Sequence, residues 1–179
     1  MPSQKTSRRF VLTLIGNDRP GIVDTIARKV TESGGNWMES RMIELGGQFA
    51  GLVQVEVPAH TFETVYKDLK DLELSGLNLS LVESSSTQAS APEMVEIRLE
   101  IVSPDRAGIL SEITSIIAKQ GVSIEELDTE LTAAPWSGEL LFKATLKLRA
   151  AKDQPTDQLI DALEDASVGM MLDLSVSTS

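Results

Sequence analysis

The stretch Asn17-Asp18-Arg19-Pro20-Gly21-Ile22-Val23 returns later in the chain as Pro104-Asp105-Arg106-Ala107-Gly108-Ile109-Leu110, with its glycine 87 residues further on. Carried forward without a gap, the same offset pairs Ile26 with Ile113, Val30 with Ile117, Gly34 with Gly121, Phe49 with Trp136 and Gly51 with Gly138. A match that extends this far beyond the motif indicates an internal duplication. The 179 residues therefore predict two small domains of one kind.

A segment of small residues separates the two copies. Residues 84–93 are rich in serine and contain Pro92, a composition typical of a flexible connection. We therefore predict an N-terminal arm at residues 1–8, a first domain at 9–83, a linker at 84–93 and a second domain at 94–177.

Both copies show the same order of elements, βαββαβ. Each begins with a short strand-like run, continues with apolar residues at helical spacing, and then shows two strands, a second helix and a last strand. The predicted strands are 10–15, 37–45, 49–57 and 77–82 in the first copy, and 95–101, 123–131, 139–148 and 171–176 in the second. This order predicts an α+β fold of two tandem ferredoxin-like domains, each an antiparallel four-stranded sheet with both helices on one face.

The repeated motif lies where the first strand of each copy meets the first helix. Asp18 and Asp105 stand where a helix N-cap is expected, and Gly34 and Gly121 where a left-handed residue ends a helix. A helix beginning near Arg19 leaves its first N–H groups without intrahelical partners, which makes its start a suitable seat for a carboxylate.

Composition excludes several classes of function. The chain has no cysteine and one histidine, His60, so thiolate chemistry and sites that need two imidazoles are excluded. Its net charge of −11 disfavours direct binding to a phosphate backbone. The sequence shows neither a run long enough to cross a bilayer nor a cleavable leader, so we expect a cytoplasmic protein without membrane contact. No activated nucleophile stands beside a base, and we expect no enzyme activity, no cofactor and no metal.

The first strand running into Asp18-Arg19-Pro20-Gly21-Ile22-Val23, with Gly34-Gly35-Asn36 following, resembles the ACT domain. The resemblance covers nearly the whole chain, and the tandem pair without a catalytic domain is similar to the glycine cleavage repressor subgroup of that family. It implies a regulatory protein whose ligand, an amino acid such as glycine, lies between the first loop of one domain and the start of the second strand of a neighbouring domain. The residues implied are Asp18, Arg19, Pro20, Gly21 and Ile22 on one wall, and Gly35, Asn36 and Trp37 on the other.

Each of these residues also has a purely structural interpretation. Asp18 would then only cap the helix, and Arg19 and Arg106 would be surface charges. Asn36 would be a turn residue, although its amide can both donate to a carboxylate and accept from an amino group. Trp37 and Trp136 would pack the sheet or an inter-domain contact.

The second copy departs from the motif. Ala107 replaces the proline, and Val122-Ser123 replaces Gly35-Asn36. A serine hydroxyl cannot offer the paired donor and acceptor of an amide. We therefore expect one sensor, the first domain, and a weaker second site at Asp105, Arg106, Gly108, Ile109 and Ser123.

Two functions remain open on the sequence. The first is a regulator of transcription that acts through a protein partner such as an activator, since the chain has no basic face for nucleic acid. The second is a regulatory subunit that docks on an enzyme of amino-acid metabolism. Because the predicted sheets leave edge strands, we also expect edge pairing, either between the two domains of one chain or in a homodimer.

Overall fold

The computed structural model describes residues 7–84, 93–135, 137–152, 156–170 and 173–178. The chain divides into two compact units, Met1–Thr87 and Gln88–Ser179. The division falls inside the predicted linker, most of which lies outside the described residues, as does Trp136.

The first domain is a four-stranded antiparallel sheet with two helices. Its sheet order is β2-β3-β1-β4. The elements are β1 (Ser7–Asn17), α1 (Ile22–Glu32), β2 (Asn36–Leu45), β3 (Gln48–Pro58), α2 (Phe62–Lys70), a 3-10 helix (Asp71–Ser75) and β4 (Leu77–Glu83).

The second domain repeats this plan, with sheet order β6-β7-β5-β8. Its elements are β5 (Met94–Pro104), α3 (Ile109–Lys119), β6 (Ser123–Ala133), β7 (Leu140–Ala151), α4 (Thr156–Met170) and β8 (Asp173–Thr178). The predicted α+β fold of two ferredoxin-like domains is confirmed.

Each domain buries one face of its sheet under its two helices. In α1 the apolar residues recur every four positions, so Ile22, Ile26 and Val30 lie on one side and are buried. They share a core with the alternate residues of β1 and β3, such as Leu12 and Val53. The second domain has an equivalent core, and the opposite face of each sheet is left without a helix.

The predicted C-terminal ends of the first helices are confirmed. Gly34 and Gly121 both have φ of 69°, the left-handed conformation expected there. At the end of α1 the N–H of Gly34 donates to the carbonyl of Thr31, and the N–H of Gly35 donates to the carbonyl of Val30. This Schellman arrangement satisfies carbonyls that the helix leaves unpaired.

The predicted N-caps are wrong. Helix α1 begins at Ile22, three residues later than expected, and its N-cap is Gly21 rather than Asp18. The same holds for α3, where Gly108 is the N-cap instead of Asp105. The reason is that both aspartates continue the hydrogen bonding of the sheet just beyond the ends of β1 and β5. The N–H of Asp18 donates to the carbonyl of Gly47, and the N–H of Asp105 donates to the carbonyl of Leu140.

Strand register corrects the alignment of the two copies beyond the first helix. Gly46 and Gly47, with φ of 60° and 78°, form the two-residue turn predicted between β2 and β3. Two residues lie between the paired Leu45 and Gln48, whereas eight lie between the equivalent pair Thr132 and Leu141, so β3 corresponds to β7 at an offset that is six residues larger. Phe49 therefore pairs with Phe142 and Gly51 with Ala144, not with Trp136 and Gly138.

In the part of the chain that the structure describes, no helix combines the length and apolar character needed to cross a bilayer.

Candidate ligand site

The first wall of the candidate site is the exposed loop from Asp18 to Gly21. Gly21 has φ of 89°, and its carbonyl accepts both the N–H of Thr25 at 2.9 Å and the Thr25 hydroxyl at 2.8 Å. No described side chain caps α1, so the amides of its first turn are not held by a cap. Apart from Gly21 itself and the residues next to it in the chain, no described atom lies within 4 Å of the position a Cβ on Gly21 would take. The start of α1 is therefore open to an anionic group.

The second wall, residues 35–37, lies at the other end of the same sheet. Asn36 aligns through Glu56 with Arg9 near the start of β1, whereas the loop follows Asn17 at its end. Eight residues of strand at roughly 3.4 Å each separate these levels by about 27 Å. A single domain thus does not bring its own two walls together. Residues 18–22 and 35–37 of one first domain therefore do not form a single site.

The three residues of the second wall differ in how far they are free to meet a ligand. Gly35 packs against the domain itself: a Cβ there would lie 2.9 Å from the carbonyl oxygen of Val30 and 2.9 Å from Cγ1 of Val57. Asn36 is exposed, and its Nδ2 lies 3.2 Å from the sulfur of Met38. Trp37 is partly buried and packs on the first domain's core, as its structural interpretation expects.

The equivalent loop of the second domain is covered by its own helix. Nη1 and Nη2 of Arg106 donate to the two carboxylate oxygens of Glu112, at 2.8 and 2.7 Å. Arg106 holds the pKa of Glu112 below its usual range, and Glu112 in turn raises the pKa of Arg106. Oε1 of Glu112 lies 3.7 Å from the position a Cβ on Gly108 would take. A carboxylate of the chain therefore stands over the helix start that a ligand carboxylate would need.

Thr25 holds the position of Glu112 in the first domain, and this difference was missed at the sequence level. Its side chain bonds the helix backbone and is too short to reach over Gly21. The gapless alignment of the motif already contained the signal, because Thr25 and Glu112 both stand four residues after the motif glycine. What it could not show is that Arg106 and Glu112 meet as a bidentate pair.

The remaining site residues of the second domain lie at the start of β6, at the positions equivalent to Gly35 and Asn36. Val122 is buried where Gly35 stands in the first domain, and Ser123 begins β6 as an exposed residue.

His60 is exposed after β3. Among the described residues, no three histidine, aspartate or glutamate side chains cluster closely enough to hold a metal ion.

Comparison with known families returns one result for both halves of the chain. A model of the ACT domain matches residues 8–76, and a second ACT domain model matches residues 97–138. The chain is 28% identical over 119 residues to the glycine cleavage system transcriptional repressor of Escherichia coli and to that of Shigella flexneri. These matches cover 66% of the chain and 62% of each relative, so they span less than two thirds of the relatives' length.

Two solved structures share the whole architecture. A protein of unknown function from Galdieria sulphuraria has a TM-score of 0.85 at 28% identity, with 97% of this chain and 99% of that one covered. A candidate glycine cleavage system transcriptional repressor has a TM-score of 0.71 at 19% identity, with 98% and 99% covered. The second likeness is one of fold.

Proposed function

Because the chain belongs to the ACT domain family, we propose that it senses an amino acid through its first domain and modulates transcription through a protein partner. Its role is regulatory rather than catalytic, in keeping with its family and with its similarity to a transcriptional repressor. Glycine, the amino acid in that relative's name, is the first ligand to test.

The proposed ligand site is shared between the first domains of two copies of the chain. The ligand's carboxylate lies at the start of α1, where the first-turn amides and the partial positive charge of the helix favour an anion. Asn36 of a neighbouring domain supplies the other wall, with a carbonyl to accept from the amino group and an amide to donate. The position of these two walls at opposite ends of one sheet supports this shared arrangement. Gly35 contributes by its packing, which positions Asn36.

The single observation that carries the proposal is the contrast between the two helix starts. Above Gly21 the described structure leaves open space, whereas Glu112 stands beside Gly108 and is held there by Arg106. A ligand carboxylate at Gly108 would meet a like charge at close range, which disfavours binding. We therefore assign sensing to the first domain.

Charge supports a protein partner over direct contact with nucleic acid. The first unit carries 9 Lys and Arg against 11 Asp and Glu, and the second 7 against 16. The acidic excess is thus concentrated in the second domain, where it repels a phosphate backbone. A basic surface on a DNA-binding protein is the partner that this charge would attract.

Thermal unfolding of the full chain against the twenty amino acids tests the sensing step. A ligand that binds only the folded state adds about 2.7 kcal/mol to the free energy of unfolding at a hundredfold excess over Kd. The melting temperature therefore rises. We expect Asn36→Ala to lose the response and Ser123→Ala, its counterpart in the second domain, to keep it. Equal losses in the two variants would contradict the assignment to one domain.

A reciprocal pair of substitutions tests the helix start itself. Thr25→Glu places in the first domain the carboxylate that covers the second, and we expect it to abolish the ligand-induced shift. Glu112→Thr removes that cover from the second domain and should leave the response of the first unchanged. If Thr25→Glu still responds as the wild type does, the ligand does not bind at the start of α1.

The partner step needs its own measurement. We expect the isolated protein to give no specific band shift with promoter DNA, and to give one only when a DNA-binding protein from the same cell is added. Tight, sequence-specific binding of DNA by the isolated chain would contradict action through a partner.

A further inference from the structure

The face of the first sheet opposite the described helices carries an apolar patch, and the proposed function does not use it. Its side chains alternate with those of the core, and five large apolar ones are well exposed: Ile15 at 48%, Leu52 at 50%, Ile43 at 54%, Val82 at 61% and Leu45 at 76%. We call this the open face of the first domain. Apolar side chains gathered on one face differ from single exposed ones, because together they form a patch that favours a partner.

Register shows that these residues are neighbours on the sheet. Ile43, Ala50 and Ile15 form one cross-strand row, and Leu52 and Thr13 lie in the next. Val11 and Val82 stand opposite each other in the third row. The apolar side chains therefore run across all four strands as one patch.

The second domain has charged residues at the same places. Its row equivalent to Ile43, Ala50 and Ile15 consists of Glu130, Lys143 and Val102. The row equivalent to Arg41, Leu52, Thr13 and Ser80 consists of Asp128, Thr145, Glu100 and Ser175. Ion pairs cover this second face, among them Lys147 with Glu96 at 3.2 Å and Arg149 with Glu125 at 2.7 Å. Since the two domains share one fold, the fold does not require an apolar open face.

The charges on the open face of the first domain cancel one another. Arg9 pairs with Glu56 at 3.1 Å, and Arg41 pairs with Glu39 at 3.3 Å. Two arginines and two glutamates thus leave the described face with no net charge. A surface of this kind is complementary to itself, because a two-fold axis can set the arginine of one copy against the glutamate of the other.

We propose that two copies of this chain associate through the open faces of their first domains, related by a two-fold axis. A second copy matches both properties of the face: it offers an equal apolar patch, and it adds no uncompensated charge. The basic partner proposed above does not match, since this face has no acidic excess to attract it. This contact uses the face of the sheet and is separate from pairing of edge strands.

Sedimentation equilibrium of the full chain, from low to high micromolar concentration, tests the proposal. We expect Leu52→Asp, in an inner strand of the face, to weaken association by about 100-fold, because the two-fold axis brings a carboxylate of each copy onto an apolar contact. Thr145→Asp is the matched control at the equivalent position of the second domain, and its association should equal that of the wild type. Far-UV circular dichroism and thermal unfolding establish that each variant is folded.

A second substitution separates loss of contact from a general effect of negative charge. Leu52→Lys has the opposite charge and should weaken association as Leu52→Asp does. Wild-type protein that is monomeric at high micromolar concentration would overturn the proposal, and so would folded Leu52 variants that associate like the wild type. Ligand binding is measured separately by the thermal shift. Wild-type protein that associates but shows no shift contradicts only the ligand site, and a shift together with folded Leu52 variants that associate like the wild type contradicts only the open-face contact.

Discussion

Replacing Gly35 with alanine adds one methyl group to the most crowded turn described in the first domain. The new Cβ would lie 2.9 Å from the carbonyl oxygen of Val30, 2.9 Å from Cγ1 of Val57 and 3.0 Å from Cγ1 of Val30. These distances are shorter than van der Waals contact, so the backbone or the valines must move. The same oxygen accepts the N–H of Gly35 at 2.9 Å, and any movement that relieves the clash lengthens that hydrogen bond.

The expected cost follows from three contributions. Overpacking a well-packed interior costs about 1–3 kcal/mol. Weakening one hydrogen bond adds up to about 1 kcal/mol. Replacing glycine by alanine restricts the unfolded chain and returns roughly 0.4–1 kcal/mol. At the midpoints of these ranges the net destabilisation is about 2 kcal/mol, which lowers the melting temperature of a domain of this size by roughly 8–16 °C.

Differential scanning calorimetry of the full chain measures this effect. Asn36→Ala, at the exposed neighbouring residue, is the control, and its unfolding free energy should stay within about 0.5 kcal/mol of the wild type. Val122→Ala tests the equivalent position of the second domain, where a buried side chain is removed instead of added, and it too should destabilise. A melting temperature of Gly35→Ala equal to or above that of the wild type would refute the reasoning.

Three further outcomes are expected. Phe62→Leu removes two contacts of the aromatic ring: an edge-to-face contact with Phe10, and a cation–π contact with the Arg8 guanidinium, which lies 3.5 Å from the ring centre. The free energy of unfolding in urea should fall by about 1–2 kcal/mol. Leu99→Ala empties a fully buried position and should cost about 2–5 kcal/mol in the same assay. Glu96→Gln should lower the melting temperature at neutral pH, and its difference from the wild type should disappear as the pH falls through the lowered pKa of Glu96.

The sign of the last prediction follows from the ion pairs of Glu96. Hydrogen bonds from Arg98 and then Lys147 hold the pKa of Glu96 below its usual range. A carboxyl whose folded-state pKa is lowered stabilises the fold above its unfolded-state pKa, and the contribution disappears as the pH falls through the folded-state value. A difference between Glu96→Gln and wild type that grew in acid would contradict this. Urea midpoints of Phe62→Leu and Leu99→Ala equal to that of the wild type would contradict the two predictions made for those variants.

Local patterns were sufficient to predict the secondary structure. The apolar run in β1, the alternation in β5 and the four-residue period of α1 and α3 depend only on local residue type and spacing, and the elements they predict are confirmed. Gly46-Gly47 predicted the turn between β2 and β3 because its left-handed conformation is a property of the residues themselves.

Predictions that depended on partners distant in sequence were less reliable. The gapless alignment placed Phe49 on Trp136, since nothing local shows which residues oppose each other across a hairpin with a longer turn. Asp18 was assigned as a cap because its residue type fits, but its N–H belongs to the sheet edge through Gly47. In both cases the deciding hydrogen bonds join strands, and the strand register exists only in the folded chain.

The sequence by itself determined the duplication, the order of elements and the asymmetry between the motifs of the two copies, because these depend on residue type and spacing. Only the tertiary structure decided that Glu112 covers Gly108 while Gly21 stays open, and that Asn36 lies at the far end of the sheet from the loop of its own domain. It also decided that one open face is apolar and the other charged. These properties arise from which side chains meet in space, and the pairing of antiparallel strands brings together residues that the sequence keeps far apart.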